Sequence, residues 1–158
     1  MVNWTGEDVP STGMLHTVAA AEHSAAWAFG ISVREEGRFA TLVFHRGDWG
    51  WEQVAAPQIG RVNRAIAISD VDVWAVGDGT SLHWDGTRWR QVPTAVLEDS
   101  EAQFFGLAHF SGADVWTAGY APGRNFSGGR GIVQRWDGAA WTDLDNRHFA
   151  RLRLGIQP

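Results

Sequence analysis

The sequence predicts an all-β protein made of three consecutive four-stranded units, and three observations predict it. A pattern of apolar run, Trp-centred strand and Trp-closed hairpin is written three times, at a spacing of about 40 to 50 residues that marks sheet-forming repeats. Ten Trp stand among 158 residues. Short runs rich in Trp, Val and Leu alternate with Asp-Gly and Ser-Asp punctuation, the pattern of strands joined by tight turns.

The elements follow in order. Trp4-Thr5-Gly6-Glu7-Asp8-Val9-Pro10 matches the last strand of the second unit and predicts an orphan outer strand over residues 1–10. The first unit, 11–57, has an inner strand at 15–20, then Trp27-Ala28-Phe29-Gly30, then a hairpin whose turn slides to Gly47-Asp48. The second, 58–95, is the clearest: an inner strand at 62–68, Asp72-Val73-Trp74-Ala75-Val76-Gly77, and Leu82-His83-Trp84-Asp85-Gly86-Thr87-Arg88-Trp89. The third, 96–146, repeats it with an inner strand at 104–109, Asp114-Val115-Trp116-Thr117-Ala118-Gly119, and Arg135-Trp136-Asp137-Gly138-Ala139-Ala140-Trp141. Residues 147–158 alternate as an orphan inner strand. Four strands per repeat at this period predict the blades of a β-propeller.

Such blades are sheets buried on both faces, which explains the Trp: a large planar ring fills the wedge between neighbouring sheets. Trp27, Trp51, Trp74, Trp89, Trp116 and Trp141 are therefore packing residues, while Ala75, Gly77, Ala118 and Gly119 leave room for the adjacent sheet. Propellers close with about four to eight blades, so three would leave two broad apolar faces in water. The expectation is a ring completed by self-association, the chain being its own partner.

With the motif laid out, the chain resembles bacterial propeller repeats of the Asp-Val-Trp-Ala-Val-Gly … His-Trp-Asp-Gly-x-x-Trp type over about residues 13–144, and most strongly in the second and third copies. It is distantly similar to kelch and tryptophan-aspartate propellers and to propeller lectins. The resemblance implies an architecture shared among many activities. The first copy departs from it, with Arg46 and Gly47 where the second has Trp84 and Asp85.

The bulk numbers exclude several function classes. A net charge of -5 with no basic stripe gives no reason to expect nucleic acid. Without Cys there is no thiolate chemistry, disulfide framework or Cys-based zinc site. No apolar run approaches the ~20 residues of a spanning helix, and the start shows no signal peptide, which leaves a cytoplasmic protein or an exported one trimmed of its leader. The six His lack the spacing of a helix-borne metal site, although His16 and His109 on inner strands could meet at one mouth of an axial channel. No nucleophile elbow or phosphate loop occurs, Asp72 and Asp114 read as corner caps for backbone N–H groups, and no cofactor or metal is implied.

Function is expected where the repeats differ or expose an indole. Trp84 and Trp136 beside the Asp-Gly turns, and Trp49 in the displaced turn, could stack a sugar ring while His83, Asp85, Arg88 and Asp137 take its hydroxyls. The insertions at 32–38 and 120–130 read as loops, the second offering Tyr120, Arg124 and Arg130 for a sugar or an acidic group. The leading reading is a non-catalytic, lectin-like binding module for carbohydrate or a small polar ligand. The second is a protein-binding or assembly scaffold, and the third a hydrolase or lyase with an axial site.

Overall fold

In a computed structural model, which describes residues 6–21, 25–34, 37–95, 102–123 and 128–144, the chain is three four-stranded antiparallel sheets. The first holds β1 (Met14–Ala20), β2 (Ala26–Val33), β3 (Phe39–Gly47) and β4 (Gly50–Gln53) in chain order. The second holds β5 (Val62–Ser69), β6 (Asp72–Gly77), β7 (Thr80–Trp84) and β8 (Trp89–Pro93). The third holds β9 (Gln103–Ser111), β10 (Asp114–Pro122), β11 (Gly129–Trp136) and β12 (Trp141–Asp143). The sheets adjoin through their first strands, β1 against β5 and β5 against β9, in a propeller-like arrangement of blades.

Register makes the three copies superimposable. Trp27 pairs across the ladder with His45, Trp74 with His83, and Trp116 with Arg135. Trp27 and Trp74 therefore face the following blade and Trp116 the corresponding open face of the third, while the residues beside each face the other way, because side chains alternate along a strand.

Two seams result. Between blades one and two, Trp27, Phe29 and Val43 meet Val62, Ala65, Val73, Ala75, Leu82 and Trp89. Between blades two and three, Trp74 meets Val115 and Trp141, and Val76 meets Phe104 and Ile132. The indoles repeat their geometry: Trp27 has Trp84 at 4.8 Å and Trp89 edge-on at 5.1 Å, while Trp74 has Trp136 at 5.2 Å and Trp141 edge-on at 5.6 Å. Of the six packing indoles, Trp27, Trp74, Trp89 and Trp141 are buried in these seams. Trp51 and Trp116 lie half-buried on the two end faces.

The glycine three residues after each strand Trp has a different cause from the one its position suggests. A Cβ built on Gly30, Gly77 or Gly119 would collide with the carbonyl of Met14, Arg61 or Gln103, each at the start of the first strand of the same blade. The small side chain admits the blade's own inner strand, not the neighbouring sheet. Ala75, by contrast, does lie in the seam with blade one.

At the chain's beginning, residues 6–10 form no strand. They lie along the outer face of blade one, where Val9 packs on Ala28, Leu42, Phe44 and Trp51, and Glu7 pairs with Arg46. The remainder of the expected outer strand, 1–5, and the orphan inner strand at 147–158 lie outside the described residues.

Candidate functional site

Three kinds of position were open to chemistry: the stations around the repeated Trp, the hairpin tips and the inserted segments. At the first, Asp72 and Asp114 are not corner caps. The His83 Nε2 donates to Asp72 at 2.9 Å, with the imidazole stacked on Trp74 at 4.3 Å. Asp114 accepts two bonds from the Arg135 guanidinium, at 2.8 and 3.0 Å, and one from the Trp116 indole at 2.7 Å. These bonds, led by those from Arg135, hold the Asp114 carboxyl below its usual value. Each carboxylate steadies a polar group over an indole. Blade one has Ala25 at the matching position, and its His45 packs on Trp27.

At the tips, Asp85 and Asp137 are engaged by their own turns. The Asp85 Oδ1 accepts from the Thr87 hydroxyl and from the N–H groups of Thr87 and Arg88, and its Oδ2 pairs with Arg90. The Asp137 Oδ1 accepts from the N–H groups of Ala139 and Ala140. Both carboxyls sit low, Asp85 far below the usual range because of the Thr87 hydroxyl first and the backbone donors next. Gly86 and Gly138 follow with φ of 88° and 95°, which explains the Asp-Gly pair. Arg88 is exposed beside its turn, and Trp84 and Trp136 are half-buried with their rings against the seam indoles. Trp49 differs from them: in the two-residue turn of blade one it is 95% exposed.

Where they are described, the insertions are strand extensions and not loops, paired out to Val33 with Phe39 and Pro122 with Gly129. Tyr120 pairs with Gly131 and Ala121 with Arg130, so the third blade's hairpin keeps its ladder to Pro122 and Gly129. Backbone groups that would otherwise need water are satisfied by that ladder. Tyr120 donates to the Gly128 carbonyl at 3.3 Å, and Arg130 is paired with Asp143 at 2.8 Å. Arg124 lies outside the described residues. The nine expected residues that are described thus divide between two ends of the blades: Trp49, His83, Trp84, Asp85, Arg88, Trp136 and Asp137 toward the outer hairpin turns, Tyr120 and Arg130 toward the opposite end.

Two concavities escape sequence reasoning, because each is assembled from different blades. A cup of about 350 Å³ is shared by Ala20, Ala67, Ile68, Ser69, Asp70 and His109 at the far ends of the three inner strands. A cleft of about 510 Å³ lies at the near ends, among Met14, His16, Ile31, Val33, Phe39 and Arg61. His16 and His109 therefore occupy opposite ends of the inner strands and do not share a channel mouth. Among the described residues, no three acidic or imidazole groups gather as a metal site, and no helix is long and apolar enough to cross a membrane. No protein-family model and no curated protein matches the chain.

Proposed function

We propose that this chain is a non-catalytic β-propeller assembly module whose two end faces bind each other between copies. The observation that carries the reading is Trp116. Its counterparts Trp27 and Trp74 are each 1% exposed beneath the Trp pair of the next blade, whereas Trp116 is half-buried and, among the described residues, has the Arg135 guanidinium over it at 5.6 Å in place of an indole pair. Phe110, the register counterpart of the seam residue Ile68, is 83% exposed on the same face. On the opposite face of blade one, Val18 stands where Ala65 is buried in blade two, and it is 63% exposed.

The two faces carry the two halves of a seam that the molecule already makes twice. One offers an indole and large apolar side chains; the other offers the small and branched residues that receive them. A head-to-tail contact of this kind is heterologous and closes into a ring if the rotation allows. Phe110→Lys and Val18→Lys each block one half at an exposed position. The unmodified chain is expected to have the mass of a multiple in light scattering, and each variant alone that of one chain. An equimolar mixture of the two variants should form a two-chain complex, since each retains the half the other lost. Monomeric unmodified chain, or variants that self-associate as before, would overturn the reading.

One observation favours the lectin-like alternative at a single place. Trp49, with Asp48 beside it, is the one indole among the described residues that is fully presented to water, a platform on which a sugar ring could stack. Binding to a glycan array that Trp49→Ala abolishes would support it, and binding indifferent to that change would exclude this platform.

A further inference from the structure

We infer that the cleft between blades one and two binds a small carboxylate carried on a flat apolar body. The cleft owes its existence to the first insertion. After Gly30, the counterpart of Gly77, the hairpin of β2 and β3 continues through the rungs Ile31 with Thr41, Ser32 with Ala40 and Val33 with Phe39, whereas blade two turns at once. The overhang projects Ile31, Val33 and Phe39 on the face that looks toward blade two. At that height blade two offers only the entry to β5, so Val33 stays 70% and Phe39 53% exposed.

Opposite this apolar wall stands Arg61. Its backbone is fixed on both sides by Asp78, which receives its N–H and donates to its carbonyl, each at 3.3 Å. Its guanidinium pairs with no carboxylate among the described residues, in contrast to Arg46, Arg90, Arg130 and Arg135. His16 and Thr12 add polar groups to the same cleft, and among the described residues no Asp or Glu lines it. A fork of N–H donors facing an apolar wall selects a carboxylate by one end of the molecule and an aromatic or aliphatic plane by the other. The volume of about 510 Å³ suits a ligand of small-molecule size.

This site is independent of the end faces, and so is its test. Titration calorimetry of the chain with 2-naphthoate, and with 2-naphthalenemethanol as the uncharged counterpart, separates the two halves of recognition. The carboxylate is expected to bind at least about tenfold more tightly than the alcohol, and Arg61→Gln to erase that preference while leaving the alcohol unchanged. Phe39→Ser should weaken both. Both substitutions fall on exposed side chains, and thermal melts confirm that the fold is kept. Equal affinity for acid and alcohol, or naphthoate binding lost in Phe110→Lys but untouched by Arg61→Gln, would overturn the inference.

Discussion

Ser81→Ala tests the seam between blades two and three at a single atom. The Ser81 side chain is fully buried, and its Oγ accepts the Trp141 indole N–H across the seam at 3.1 Å while donating to the Val92 carbonyl at 2.8 Å. Alanine removes both bonds and leaves the indole N–H enclosed without an acceptor, a loss of about 1–3 kcal/mol. For a domain of this size each kcal/mol moves the melting midpoint by roughly 2–4 °C, so a fall of about 4–8 °C is expected for a loss near the middle of the range. Calorimetric melts of Ser81→Ala, Trp141→Phe and the double variant separate the pair from its parts. Phenylalanine keeps the edge-on ring but has no N–H to strand, so the cost of Ser81→Ala should shrink by about 1 kcal/mol in that background. If the two single losses simply add, the indole and the hydroxyl do not meet, and the seam is not packed as described.

Further outcomes follow from the same geometry. Gly77→Ala forces a Cβ into the Arg61 carbonyl and should cost about 1–3 kcal/mol, whereas Gly131→Ala, with open space around it, should be neutral or slightly stabilising; urea midpoints compare them. The carboxyls of Glu7, Asp85, Asp114 and Asp137 are all lowered by donors in the folded state. Their contribution is complete above the unfolded carboxylate range of about 4 and is lost as pH falls toward the folded values. Stability should therefore decline from about pH 5 to pH 2, less steeply in Asp85→Asn and Asp137→Asn, as denaturant titrations at each pH would report. Gln134→Leu removes the amide that accepts from the Ala95 N–H at 3.0 Å and donates to its carbonyl at 3.1 Å; a melting midpoint unchanged by that substitution would mean the link into blade three is not anchored there.

The strands and their order were legible because the same signals occur three times, and a pattern repeated at fixed spacing averages out local ambiguity. The turns were legible for a similar reason: Asp-Gly followed by a Trp has one economical geometry, and the structure adopts it at Asp85 and Asp137. Side-chain partnerships were not. That Asp72 reaches His83 and Asp114 reaches Arg135 depends on the register of two strands, and neither residue type announces its partner from 11 or 21 positions away. The insertions misled because Gly, Pro and charged residues read as loop, while Tyr120 and Arg130 in fact continue a ladder. The cup is a product of three blades meeting, and the cleft of two. No local window of sequence contains them.

A repeat built this way separates what each blade must conserve from what each seam can vary, and one position exposes the difference. Val43 in blade one occupies the place of Ser81 in blade two, since Phe29 pairs with Val43 as Val76 pairs with Ser81. The consequence lies across the seam: the Trp89 indole N–H, counterpart of the satisfied Trp141, is buried with no partner among the described residues. Val43→Thr keeps the shape and places a hydroxyl toward that orphaned donor. Burying an unbonded hydroxyl costs about 1–3 kcal/mol, and a new bond to Trp89 offsets about 1 kcal/mol of it. The same exchange at Val76, equally buried but packed among Ala102, Phe104, Ala121 and Ile132, meets no indole in its cluster. Val43→Thr should therefore be milder than Val76→Thr by about 1 kcal/mol in urea unfolding. Equal losses at the two sites would show that seam chemistry is not set by the pairs that face each other across it, and the correspondence between the two seams would fail with it.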